Sequence, residues 1–314
     1  MTRHRLLFVL LLAVLLAVPV ASVATGNLFI LSLCTRIVIL SIAATGLQLL
    51  VGYGNLISLG HALFVGIGAY ALAICTFYAP GTPWLANGFL QLAAVIAAAA
   101  AIAWATGYVS LRMRGIYFLM ITLAFSQMFH LLAVSASVFG GDDGMTLYSR
   151  PWFPLIDLGS PFQRYTICAA VLLLTVLGSA RLMESGFGLA LRASASNEMR
   201  LQSSGYDVHK VRLAAYVISG VVAALAGYLS ALHTEFVSPS TMHWSRSGDL
   251  VIMVVLGGKL VPGGPVLGAA FLVLVEEVAS RFTESWPIVL GLLLVAFGRY
   301  AGNGLIALGM GKAR

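Results

Sequence analysis

"LVGYGNLISLGHALFVGIGAYALAICTFY", Leu50 to Tyr78, admits two readings that lead to different proteins. Its centre, "GIGAYA" at Gly66–Ala71, has the G-x-G-x-x-[GA] spacing of a dinucleotide-binding turn, in which glycines bring a helix N-terminus against a pyrophosphate. That chemistry requires a strand just before the glycines. Here they lie inside an apolar run from about residue 56 to 78, close to the ~20 residues that cross the hydrocarbon core of a bilayer. The stretch is read as a membrane helix, and small residues four apart, Ala62 and Gly66, as a surface on which helices approach closely.

The rest of the chain agrees. Of 314 residues 60% are hydrophobic, mean hydropathy is +0.97, and charged residues make up 9%, where a soluble domain holds about 25%. Apolar runs stand at about 6–24, 31–51, 56–78, 89–110, 115–138, 165–182, 212–233, 247–260, 264–282 and 286–305. The 247–260 run is too short for a full span and reads as a half-helix or re-entrant segment. The expected fold class is all-α, a polytopic integral membrane protein with about 8–10 transmembrane helices, half-helices included. No Ser- or Pro-rich linker divides it, so residues 1–314 are read as one membrane domain. The start, "MTRHRLLFVLLLAVLLAVPVASVATG", is read as a first span; a cleaved secretory signal is the competing reading.

The formal net charge of +7 would suggest a polyanion partner in a soluble protein. With a cytoplasmic amino terminus, thirteen of the 18 basic residues fall inside: Arg3, Arg5, Arg112, Arg114, Arg181, Arg192, Arg200, Lys210, Arg212, Lys259, Arg299, Lys312 and Arg314. Arg150, Arg164, Arg246 and Arg281 fall outside, and Arg36 lies within a span. This bias orients a membrane protein, with both termini cytoplasmic; the implied partner is lipid, not nucleic acid.

Catalytic patterns are missing. Gly258-Lys259-Leu260 and Gly311-Lys312-Ala313 lack the hydroxyl residue and upstream glycine of a phosphate-binding loop. Cys34, Cys75 and Cys168 are isolated thiols, and no catalytic triad or zinc spacing occurs. No bound cofactor or metal is expected, and nothing indicates an enzyme. What remains is polar chemistry inside the membrane. Glu276 and Glu277 lie near the outer end of their run; Glu277 is spaced to pair with Arg281, and Arg36 to snorkel outward or meet one of these carboxylates. His61 reads first as a packing histidine and second as a cavity residue.

Three stretches together are far more specific: Leu50–Tyr70, "LRMRGIYFLMITLAFSQM" at Leu111–Met128, and "VSPSTMHWSRSGDLVIMVVLGGKLVPGGPVLGAAFLVLVEE" at Val237–Glu277. They resemble the LivM-type permeases of bacterial branched-chain amino acid ABC importers over about residues 31–300, and "GGDDGM" at Gly140–Met145 resembles the family's outer-loop motif. The resemblance implies several partners: ATP-binding-cassette ATPase subunits that consume the ATP, a second homologous permease and a periplasmic substrate-binding protein. It places the chain in the bacterial inner membrane. It also explains the long polar insertion "RASASNEMRLQSSGYDVHK", Arg192–Lys210, within the inside connection of about 181–212. That insertion takes the place of the coupling helix that docks on the ATPase, expected from Leu191 to Gly205, with Arg192, Asn197, Glu198, Arg200 and Gly205 as its coupling residues.

For the translocation path, the helix breaks at "GYGN" and "GGKLVPGG" single out Tyr53, Asn55, Ser58, His61, Gly257, Gly258 and Lys259. Two departures from the family pattern stand out. Ala195 and Ser196 replace an Arg-Glu pair before Asn197-Glu198, and Lys259-Leu260-Val261-Pro262 follows Gly257-Gly258 where Leu-Gly is usual. A urea or short-amide importer and a stand-alone secondary transporter are the alternative functions.

Overall fold

The computed structural model describes residues 28–147, 149–153, 159–283 and 285–300. The first apolar run with Arg3 and Arg5, and Lys312 and Arg314 at the other end, lie outside these residues.

The first described helix, α1 (Leu28–Gln48), runs on into a π turn at Leu49–Tyr53. It is followed by α2 (His61–Tyr78), α3 (Gly88–Ser110), α4 (Ile116–Ser135) and α5 (Pro161–Glu184). Two short helices, α6 (Gly186–Ser196) and α7 (Glu198–Ser203), lead to α8 (Val208–Thr234). The chain then forms α9 (Trp244–Gly257), α10 (Gly264–Ser280) and α11 (Trp286–Tyr300). One two-residue ladder, β1 (Met145–Thr146) against antiparallel β2 (Phe236–Val237), joins the loops after α4 and α8.

Local chemistry sets many of these boundaries. Asn87 accepts from the Phe89 amide to open α3, and Asp207 accepts from the Lys210 amide to open α8. Pro161 stands at the start of α5, where its missing N–H costs nothing. Gly258, at φ +110, ends α9.

Among the described residues, six helical segments are long and apolar enough to cross a membrane: Leu28–Tyr53, α2, α3, α4, α5 and α8. They correspond to the runs at about 31–51 through 212–233. The last three helices have 14, 17 and 15 residues; at 1.5 Å per residue the shortest covers roughly 21 Å, less than the ~30 Å hydrocarbon core. The run at about 56–78 is corrected at its start: α2 begins at His61, because Gly54–Gly60 is not helical.

Helix α8 is the pillar of the bundle, packed against α1, α2 and α3. Its buried face includes a run of small residues, Ala223, Ala224, Ala226 and Gly227, beside the larger Tyr216, Tyr228 and Leu232. A Cβ added at Gly68 would fall on the Ala224 carbonyl, and one at Gly227 on the Val65 carbonyl, so α2 and α8 touch backbone to backbone. The Gly264 and Gly268 pair does the same between α9 and α10, where Gly268 abuts the Met253 carbonyl. Gly66 faces the Met242 side chain instead of a helix backbone.

Charge separates along α8. Around its first turn, Glu198 accepts from Arg114 at 3.3 Å and Arg212 at 3.4 Å. Beyond its last turn, Glu235 accepts from Arg150 at 2.7 Å and Arg164 at 3.3 Å. Residues counted on opposite sides of the membrane thus lie at opposite ends of this 27-residue helix. Arg36 donates to both oxygens of Glu276 at 2.8 Å, and Arg281 pairs with Glu277 at 3.1 Å.

Candidate functional site: the broken helices and the polar segment

Non-helical backbone at membrane depth must be satisfied by the protein around it. Among the described residues, three non-helical stretches are tied by hydrogen bonds to neighbouring helices. In Gly54–Gly60 the Leu59 amide donates to Thr122 Oγ1 at 3.2 Å, and Asn55 occupies the left-handed region at φ +51, which asparagine tolerates. In the stretch between α8 and α9, Ser126 Oγ donates to the Met242 carbonyl at 2.8 Å and His130 Nδ1 to the Pro239 carbonyl at 3.0 Å. In the turn from Gly258 to Gly263, Gln48 Nε2 donates to the carbonyls of Lys259 at 3.2 Å and Val261 at 2.8 Å. Tyr53 Oη donates to the Leu260 carbonyl at 3.3 Å.

The start of α2 joins two of these regions. Its Ala62 amide donates to Ser247 Oγ, in the first turn of α9, at 2.9 Å. His61 is fully buried and closes a network. Ser219 Oγ gives its one proton to the Gly46 carbonyl at 2.6 Å, so it accepts from His61 Nε2 at 2.7 Å; His61 Nδ1 then accepts from Ser58 Oγ at 3.2 Å. Hydrogen-bond accounting assigns that tautomer.

The structure therefore brings together Tyr53, Gly257, Gly258 and Lys259, with Asn55 exposed in the adjoining break. Gly257 lies on the Gly264 carbonyl, and Gly52 is pressed against the Lys259 carbonyl. Ser58 and His61, expected along the path, are sealed in packing in this conformation. Gln48, Thr122, Ser126, Ser219 and Ser247 hold the breaks, and sequence reading missed them. The available signal was a lone amide or hydroxyl in an apolar run. A separate hollow of about 620 Å³ between α1, α3, α5 and α8 is walled mainly by aliphatic side chains such as Leu92, Val171, Ile218 and Val222.

The polar segment differs from the single helix expected at Leu191–Gly205. Asn197 is extended, at φ −154, and its Oδ1 accepts from the Arg200 amide at 3.0 Å, which splits the segment into α6 and α7. Asparagine competes with helix continuation by capping the next helix, and Ser194 and Ser196 hydroxyls also bond back to the backbone. Gly205, at φ +83, follows α7 as expected of a terminating glycine. Glu198 turns inward to Arg114 and Arg212, so its carboxylate is engaged within the chain. Arg192 reaches the carbonyls of Gly188 and Met183, and its guanidinium lies 5.8 Å from the Tyr53 ring centre. Met199 and Arg200 face outward, Met199 at 79% exposure. Next to them, the Asp207 carboxyl is held below the usual carboxylate range, first by its bond from the Lys210 amide and then by the Lys210 side chain.

Six membrane-length helices among the described residues, with hydrogen-bonded non-helical stretches between helices and a polar segment beside one of them, are the architecture of a multi-pass membrane protein. The family described as branched-chain amino acid transport system permease component matches residues 29–298, and the chain belongs to that family. It is 28% identical over 328 residues to the high-affinity branched-chain amino acid transport system permease protein LivM of Escherichia coli, covering 97% of this chain and 75% of the relative. The Salmonella typhimurium LivM permease protein is 27% identical over the same shares. The probable branched-chain amino acid transport permease protein LivH of Methanocaldococcus jannaschii is 32% identical over 121 residues, 37% of this chain and 36% of the relative. No solved structure matches significantly.

Proposed function

We propose that this chain is the permease subunit of an ATP-binding-cassette importer of branched-chain amino acids in a bacterial inner membrane. Its partners on this reading are a second permease, two ATPase subunits and a periplasmic binding protein, and it performs no catalysis itself. The observation that carries the coupling mechanism is the contact of Arg192 with Tyr53, which links the polar segment to the break at the end of α1. Met199 and Arg200 present an apolar and a cationic side chain to the outside, a surface suited to a protein partner. ATPase closure displaces α6 and α7; Arg192 transmits that displacement to Tyr53 and on to the Leu260 turn. The three breaks then shift between outward-open and inward-open arrangements.

The orientation puts Arg112, Arg200 and Lys312 in the cytoplasm. An impermeant thiol reagent applied to intact cells labels Asp143→Cys and spares Arg200→Cys; the reverse pattern contradicts it. The partner reading is tested by co-purification. Met199→Asp and Gly205→Val should leave membrane insertion intact and strip the ATPase from the complex. Full retention of the ATPase in both variants would refute docking at this segment.

A further inference from the structure

A small cavity of about 250 Å³ lies between the loop after α3, α7 and the start of α8, lined in part by the polar segment. Arg112, Arg114, Arg212 and His209 line it, with Glu198 and Asp207 as the lining carboxylates. Glu198 is shared by two of the lining arginines, Arg114 and Arg212, and Asp207 holds Lys210 at 3.2 Å while capping α8, so the three arginines still outnumber the lining carboxylates. Arg112 stacks on Tyr108 at 4.6 Å with no carboxylate partner among the described residues. Two further nitrogens, His209 Nε2 and Arg212 Nε, are buried without a hydrogen-bond partner. A cavity with cations in excess and unmatched buried nitrogens is suited to an anion.

Its setting indicates the source. The cavity lies where α3 ends and α8 begins, both of them helices of membrane length. Trp104 stacks on Tyr108 with ring centres 5.9 Å apart, and both are exposed, as are Ile116 and Tyr117. Exposed aromatics at the ends of apolar helices mark the headgroup level of a bilayer. The volume is below the ~300–1,000 Å³ of sites for drug-sized ligands, so it suits a phosphate group better than a nucleotide. From this we infer that the Arg112–Arg114–Arg212 cavity binds a phosphate anion, supplied by the headgroup of an anionic phospholipid.

Native mass spectrometry of the full chain in detergent, titrated with dioctanoyl phosphatidylglycerol, tests the site. Phosphatidylglycerol should be retained in preference to dioctanoyl phosphatidylcholine, and Arg112→Gln should weaken retention about fivefold. Arg181→Gln, at the end of α5 and outside the lining, should not. Size-exclusion profiles check each variant's fold, and weakening of native-protein binding by added salt is a second readout that needs no variant. Equal retention of the two lipids, an unaffected Arg112→Gln variant or salt-independent binding would overturn the site. Inorganic phosphate displacing the lipid at equal concentration would overturn the lipid source. Loss of ATPase co-purification in Arg112→Gln with lipid retention unchanged would assign the cavity to the partner protein and refute the inference.

Discussion

Arg192 lies over the Tyr53 ring at 5.8 Å, and Tyr53 in turn donates to the Leu260 carbonyl at 3.3 Å. Three segments far apart in sequence are joined by one aromatic side chain: the polar insertion, the π turn and the loop between α9 and α10. Tyr53→Phe keeps the ring beneath Arg192 and removes only the hydrogen bond, a loss of about 1 kcal/mol that should lower transport several-fold. Tyr53→Ala removes both contacts and should lower it further, with the ATPase still bound in each case. Uptake at the native rate in both variants would remove Tyr53 from the coupling route.

The ion pair of Arg36 and Glu276 makes a different prediction, because both lie within apolar runs. Arg36→Gln leaves Glu276, whose side chain is 20% exposed, without its cation, and removing one partner of a largely buried pair is destabilising. Folded protein recovered from membranes should fall sharply. Arg36→Gln combined with Glu276→Gln should restore most of it, since the remaining amides are neutral. A double variant as unstable as the single one would show that the pair is not the source of the effect.

Close backbone contact is testable at single glycines. Gly68→Ala and Gly227→Ala each drive a methyl into a carbonyl on the facing helix and should destabilise the bundle by about 1–3 kcal/mol. Gly178→Ala meets no atom within 4 Å and should be neutral or stabilising, by up to about 1 kcal/mol from helix propensity. Thermal unfolding in detergent separates the two outcomes; equal midpoints for all three variants would contradict the packing.

Much of this architecture was legible because burial in lipid demands length and hydrophobicity, and both can be read directly from residues. Asn197 shows what was not legible. Its place in a helix-prone polar stretch suggested continuation, but its side chain capped the next helix and split the segment in two. The start of α2 was misplaced for a related reason: Leu56, Ile57 and Leu59 are apolar enough for a span, yet that backbone turns away from helix at Asn55 and is held by Thr122. Pairing partners such as His61 with Ser219, or Gln48 with the Val261 carbonyl, depend on helix packing across more than 150 residues, which no local pattern specifies.

The proposed function is tested most directly by uptake of labelled leucine into cells that express this chain with its ATPase, second permease and binding protein, compared with cells lacking only this chain. ATP-dependent uptake should require the chain, and unlabelled isoleucine and valine should compete while urea and acetamide do not. Uptake that persists without the chain, or that urea or acetamide suppresses as well as isoleucine does, would contradict its assignment as a branched-chain amino acid permease.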